Sequence, residues 1–256
     1  KSDTTPGGVA AVRGLDALTS PLLSWSTLPS LPDRVAHAAA VVVGGHLYVC
    51  GGFDGVRYLS ACSRFSPWEA RWTRMPPMLE RRSHAVAGPW QGHLVVCGGK
   101  ADGVLRLSSV ERLDVAAAAP RWAPLAPMLE RRSQAAAAVV RGEVLVCGGF
   151  DGLSHVASAE CFGRGGSWRP LPPMAAARSS AAAAALRGRL YVCGGFDGTR
   201  QLRTAEAFDV CEQAWLQLPP MLAPRAHAAM ATVWAAPAAQ WAESRASCAG
   251  DAPVEK

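Results

Sequence analysis

Lysine is almost missing from this chain: only Lys1, Lys100 and Lys256 occur in 256 residues. The net charge of +6 therefore rests on arginine. GC-rich coding gives that bias, along with the many Ala and Pro, but a guanidinium also carries a planar fork suited to carboxylate or phosphate. Tyrosine is scarce, at Tyr48, Tyr58 and Tyr191. No apolar run reaches the ~18–20 residues of a membrane span. No Cys-x-x-Cys pair is present, which argues against a zinc site. No Gly-rich loop opens a helix, so a phosphate loop is not indicated. No Ser, His and Asp are fixed together by spacing, so no nucleophile can be assigned. The remaining composition, 50% hydrophobic and 18% charged, is that of a globular chain. It opens on Lys1 rather than Met, which reads as a fragment or a processed chain, and the setting expected for it is intracellular and cytoplasmic.

What is present is a repeat. Cys-Gly-Gly-Phe-Asp-Gly stands at 50–55, and returns as CGGKADG at 97–103 and CGGFDG at 147–152 and 193–198. Trp25, Trp72, Trp122, Trp168 and Trp215 recur at steps of 47, 50, 46 and 47. From each Trp to the next Gly-Gly is always 26 residues, whereas from Gly-Gly to the next Trp is 21, 24, 20 and 21. The first stretch is therefore fixed, and the second holds the loops that tolerate insertion, among them the Ala-rich stretch Ala116–Ala119. A period in this range marks a solenoid, propeller or array.

Each unit reads as four short strands. From Trp72 there is a strand closed by Met75-Pro76-Pro77-Met78, because Pro cannot continue a ladder. A polar link, Glu80-Arg81-Arg82-Ser83-His84, follows. Strands are then expected from Ala85 to Pro89, from His93 to Cys97 and from Leu107 to Leu113, separated by turns at Gln91-Gly92 and Asp102-Gly103. The Ala-rich runs Ala135–Ala138 and Ala181–Ala185 have helical propensity. They are short, bounded by turns and in phase with Val41–Val43, so they read as the strand nearest a crowded axis. Four strands per ~45–50 residues is the blade of a β-propeller. Cys50, Cys97, Cys147 and Cys193 share one strand position and read as small buried thiols rather than disulfides.

This pattern of Arg link, His, small strand, Gly-x-Leu-Tyr-Val-Cys-Gly-Gly-Phe-Asp-Gly, Glu strand, Trp and Pro-Pro-Met resembles the kelch repeat of kelch-like substrate adaptors, over residues ~10–234. The resemblance implies an all-β propeller of four-stranded blades. Four complete blades are expected, with a partial fifth shared between the termini; the alternative is an arc of a larger ring. Residues 1–9 and the tail 242–256 lie outside the pattern, the tail being expected disordered, and 10–241 is read as one propeller domain.

In the adaptors that this chain resembles, two loop sets form a peptide-binding rim. Carried over by position, the links contribute Arg82, Ser83, His84, Arg132, Ser133, Gln134, Arg178, Ser179, Ser180, Arg225 and His227. The loops after Gly-Gly contribute Arg57, Tyr58, Arg106, His155 and Arg200. The link arginines have a competing reading. Glu111, Glu160 and Glu206 recur in the strand after Gly-Gly, with Ser63 in the first unit, so Arg–Glu pairs could tie blade to blade. The function expected is a non-enzymatic module that binds a protein or an acidic peptide. Substrate recognition for a ubiquitin ligase is one such role, although no BTB-like or F-box-like segment can be read. No cofactor, metal or membrane is expected, and no oligomeric state follows. Kelch-type enzymes and electrostatic binding of nucleic acid are the alternatives; the first should show clustered acids or ligands, the second interleaved aromatics.

Overall fold

The computed structural model describes residues 27–232. They form sixteen strands in four antiparallel sheets, each ordered as it runs in sequence. Blade 1 holds β1 (Ala39–Val43), β2 (His46–Cys50), β3 (Cys62–Ser66) and β4 (Arg71–Met75). Blade 2 holds β5 (Val86–Trp90), β6 (His93–Cys97), β7 (Val110–Leu113) and β8 (Trp122–Leu125). Blade 3 holds β9 (Ala136–Val140), β10 (Glu143–Cys147), β11 (Ala159–Phe162) and β12 (Trp168–Leu171). Blade 4 holds β13 (Ala182–Leu186), β14 (Arg189–Cys193), β15 (Ala205–Asp209) and β16 (Ala214–Leu218). The first strands touch in the order β1, β5, β9, β13 and line the axis. The fold is thus an all-β propeller with the four expected blades. The expected fifth blade falls largely outside the described residues, with Trp25 and Trp241, and its described C-terminal part, 226–232, forms no strand. The segments 1–9 and 242–256 also lie outside.

Tertiary pairing overrides helix propensity at the axis: Ala182 to Ala185 pair in register with Cys193 to Leu190. The strand expected from Leu107 is shorter, beginning at Val110, because the backbone before it is engaged elsewhere. Leu107 N–H donates to Gly99 O, Ser108 O accepts from Met128 N–H, and Ser109 O accepts from the Arg82 guanidinium.

Three apolar clusters fill the spaces between blades. Tyr48, Cys50 and Cys62 pack on Leu94, Val96, Leu113 and Trp122. Val95, Cys97 and Val110 pack on Val144, Val146 and Phe162. Leu145, Cys147 and Cys161 pack on Leu190, Val192 and Phe208. In β6 the odd and even residues thus face different blades, so these middle strands are apolar on both sides. Each fully buried Leu or Phe contributes roughly 1.5–3 kcal/mol. The repeat Trp of blades 2 to 4 spans to the preceding blade: Trp122 Nε1 donates to Pro76 O at 2.8 Å, Trp168 to Ala126 O and Trp215 to Pro172 O. Cys50, Cys97 and Cys147 are buried and Cys193 is half-buried, and all four are free thiols. Burial pushes the Cys97 and Cys147 thiols up to about 12.

Candidate functional site: one rim of links and loops

The two loop sets meet on one face. Each link, each residue after Gly-Gly and each loop return join as single bridges: Ser83 with Lys100 and Lys100 with Arg106, then Ser133, Phe150 and His155, then Ser179, Phe196 and Gln201. The Gly doublet is what lets them approach. A Cβ on Gly98 would lie 2.4 Å from Arg132 O, and one on Gly99 would lie 2.7 Å from Ser83 O. Each doublet is held between two links.

The link arginines are turned inward. Arg82, Arg132 and Arg178 are among the largest fully buried side chains in the protein. Arg132 Nε donates to Glu160 at 2.8 Å, and its Nη1 donates to Gly148 O and Ser158 O. Arg82 and Arg178 donate through Nη2 to Glu111 and Glu206 and through Nη1 to the carbonyls of Gly98 and Gly194. Each Glu also accepts a link N–H, from Leu79, Leu129 and Ala175 respectively. The carbonyls of Arg82, Arg132 and Arg178 accept from Gly52, Gly99 and Gly149 of the preceding blade. Each of these residues therefore holds one blade by its backbone and the next by its side chain. That geometry takes Arg82, Arg132 and Arg178 out of a partner's reach, and the tie between blades is the role it gives them. Ser83, Ser133 and Ser179 are buried beside them. Arg225 is exposed, and its carbonyl accepts from Gly195 N–H.

His84, Gln134, Ser180 and His227, with His37, line the mouth of the axial cavity, an open hollow of about 380 Å³. His37 and His84 stack with ring centroids 4.1 Å apart. Burial pushes the His84 imidazole down to about 4, and the positive charges of His37, Lys100, His227 and Arg106 add to it. All five mouth residues have φ between 52° and 56°, and each N–H donates to the carbonyl of the previous one: His84 to His37, Gln134 to His84, Ser180 to Gln134 and His227 to Ser180.

Outside that ring stands a cation–aromatic series at the blade boundaries. Lys100 lies over Tyr58 at 5.6 Å and Arg106 over Phe150 at 5.1 Å, while His155 packs between Phe150 and Phe196. Tyr58, Arg106 and His155 are thus partly engaged with neighbouring blades. The loop tips beyond them are exposed and held by aspartates. Asp54, Asp151 and Asp197 each accept two backbone N–H groups within their own loop, which holds their carboxyls below the usual range. These tips carry Arg57 and Arg200 and present Val56 and Leu153 to solvent at 89% and 93% exposure, and the blade 2 loop presents Val104 at 88%.

This rim also holds a cleft of about 600 Å³ in which Arg34, Arg57, Arg74 and Arg81 come together beside Asp33 and Asp54. Arg74 donates to Asp33 at 2.8 Å and Arg57 to Asp54 at 3.3 Å. Of these four, only Arg57 stands among the binding residues expected from the sequence. The signal for Arg34 and Arg81 was available: they stand nine residues after their Trp, as Arg131 does, and adjacent residues of an extended link point opposite ways. In Arg81-Arg82, burying the second exposes the first.

Among the described residues, no group of three His, Cys, Asp or Glu side chains could hold a metal ion, and no helix is long and apolar enough to cross a membrane.

No curated protein matches this chain. Among solved structures, that of YjhT is similar, with a TM-score of 0.71 at 13% identity over 81% of this chain and 77% of that one. So low an identity shows the fold alone. The family model for the kelch motif matches residues 34–79, 131–175 and 177–222, together more than half of the chain. The intervening unit is a blade of the same register, although Gly88 and Pro89 stand in its first strand and Lys100 replaces the Phe after Gly-Gly. Motif, register and blade thus coincide, and the chain belongs to the kelch-repeat family.

Proposed function

We propose that this propeller works by binding, with no chemistry of its own, and that the rim of links and post-Gly-Gly loops takes a protein segment carrying acidic side chains beside apolar ones. The observation that carries this reading is the cleft where Arg34, Arg57, Arg74 and Arg81 converge. Guanidinium forks suit carboxylates and phosphates through short, directional, charge-assisted bonds. Val56 lines the same cleft, and the other exposed aliphatic tips extend the apolar part of the surface. Loops on a rigid scaffold are where recognition concentrates. Kelch repeats often serve protein interaction, and selecting substrates for a ubiquitin ligase is the specific role put forward here.

Acidic and phosphorylated peptide pools, followed by fluorescence anisotropy, test the reading. The Arg57→Ala, Arg81→Ala double variant should weaken binding at least about tenfold, with most of the loss in the on-rate. Its melting temperature should not change. Arg164→Ala, on the opposite rim near the Gln91 turn, should bind like the parent. Binding lost through Arg164 and kept in the double variant would move the site to that rim.

A further inference from the structure

Blade 1 departs from the others at a pair of sulfurs. Cys50 ends β2 and lies directly opposite Cys62, which begins β3. In the other blades the residue before Gly-Gly is again Cys, but it faces Val110, Ala159 or Ala205. The thiol is repeated four times, and in blade 1 it meets a second thiol. The two Sγ atoms are 3.1 Å apart, and both residues are buried.

The local ladder suits a bridge. Gly51 N–H donates to Ala61 O at 2.8 Å, so the next pair out is the hydrogen-bonded one. Cys50 and Cys62 are therefore a non-hydrogen-bonded pair, the kind in which the Cα atoms approach to ~4.5 Å. That separation lies inside the range a disulfide needs. Blade 1 also lacks the buried tie found elsewhere. Val35 and Ser63 stand where blades 2 to 4 carry the Arg and the Glu, and Ser63 is the residue next to Cys62.

We propose that Cys50 and Cys62 form a reversible disulfide that fastens the start of β3 in blade 1, the end of the third strand that Arg–Glu pairs hold in the other blades. The oxidant is a peroxide, small enough to reach a buried pair during local opening. One sulfur attacks the peroxide, the O–O bond breaks, and a sulfenic acid and one water result. The second sulfur then displaces the hydroxyl group as a second water, and the S–S bond forms. Both thiol protons end in water, and the two electrons withdrawn from the pair reduce the peroxide.

The test treats the protein with hydrogen peroxide, once folded and once during refolding, then unfolds it, alkylates free thiols and maps peptides without reduction. The expected result is one linked peptide pair containing Cys50 and Cys62, lighter than the two thiols by two hydrogens and separated by dithiothreitol. The oxidised protein should melt about 4 °C or more higher. Cys62→Ala, which copies the residue that blades 3 and 4 carry there, should fold and lose the peroxide-induced shift. The proposal is overturned if Cys50 and Cys62 are both recovered as separately alkylated thiols after both treatments, if either is joined to another cysteine such as Cys211, or if the bridge forms without raising the melting temperature.

Discussion

Blades 2 to 4 and blade 1 solve one problem in two ways. In blades 2 to 4 a buried arginine from the link meets a buried glutamate from the third strand. In blade 1 both members are replaced together, by Val35 and Ser63. The space between them is nearly closed, a void of about 10 Å³ lined also by Leu31, Val49 and Leu59. Neither charge persists alone. A buried ion with its partner removed is far more costly than no ion, whereas replacing the whole pair by packed neutral side chains can be close to neutral. The difference teaches that the Arg–Glu pair is one unit, and that a link arginine is structural when its glutamate is present.

The sharpest way to break the comparison is to leave one charge behind. Glu160→Ala should lower the unfolding free energy by ~3–5 kcal/mol, measured by chemical denaturation, because Arg132 stays buried and Leu129 N–H loses its acceptor. Converting blade 2 to the blade 1 solution sharpens the point. Arg82→Val and Glu111→Ser should each destabilise strongly, while the double variant should fall short of their sum by ~1–3 kcal/mol. Simple additivity in that cycle would mean the two residues act separately.

A smaller effect belongs to the mouth. His84 has a folded pKa depressed from the usual 6.5 to about 4. The unfolded chain therefore takes up a proton before the folded one does. His84's share of stability is complete above pH 6.5, declines as pH falls, and levels off below about 4. It should amount to less than ~1 kcal/mol, since the ring is partly open to solvent and screened. His84→Gln, which copies Gln134 of the next blade, should flatten that decline relative to the parent. The smallest expected change is at an exposed tip: Arg200→Ala, which removes a solvent-facing contact to Asp197, should shift stability by no more than ~0.5 kcal/mol in thermal melts.

The architecture was legible in the sequence because each blade restates it. The fixed distance from Trp to Gly-Gly spans the two inner strands, where close packing allows no insertion. The variable distance spans exposed loops. β6 was placed to the residue, since His93 to Cys97 is bounded by a Gly turn and a Gly doublet. The site was harder to read. Phase puts Arg82, Arg132 and Arg178 on one rim, but it does not say which way a side chain points, and a buried Arg–Glu pair has the same spacing as an exposed array. The cleft escaped because only Arg34 and Arg81 share a repeat position, and their meeting with Arg57 and Arg74 is not periodic. Arg34, Arg57, Arg74 and Arg81 come from two links, a loop and an outer strand, and chain folding alone brings them together.

The mouth of the axial cavity has a consequence of its own. Its residues are joined head to tail through their amides, each in a left-handed conformation that turns the chain toward the next. The opening is thereby bordered by a linked arc of main chain from His37 to His227, from which the side chains hang. Histidine, glutamine and serine already share this arc at nearly the same φ. The chemistry along this arc can therefore be rewritten position by position while the main-chain path stays the same.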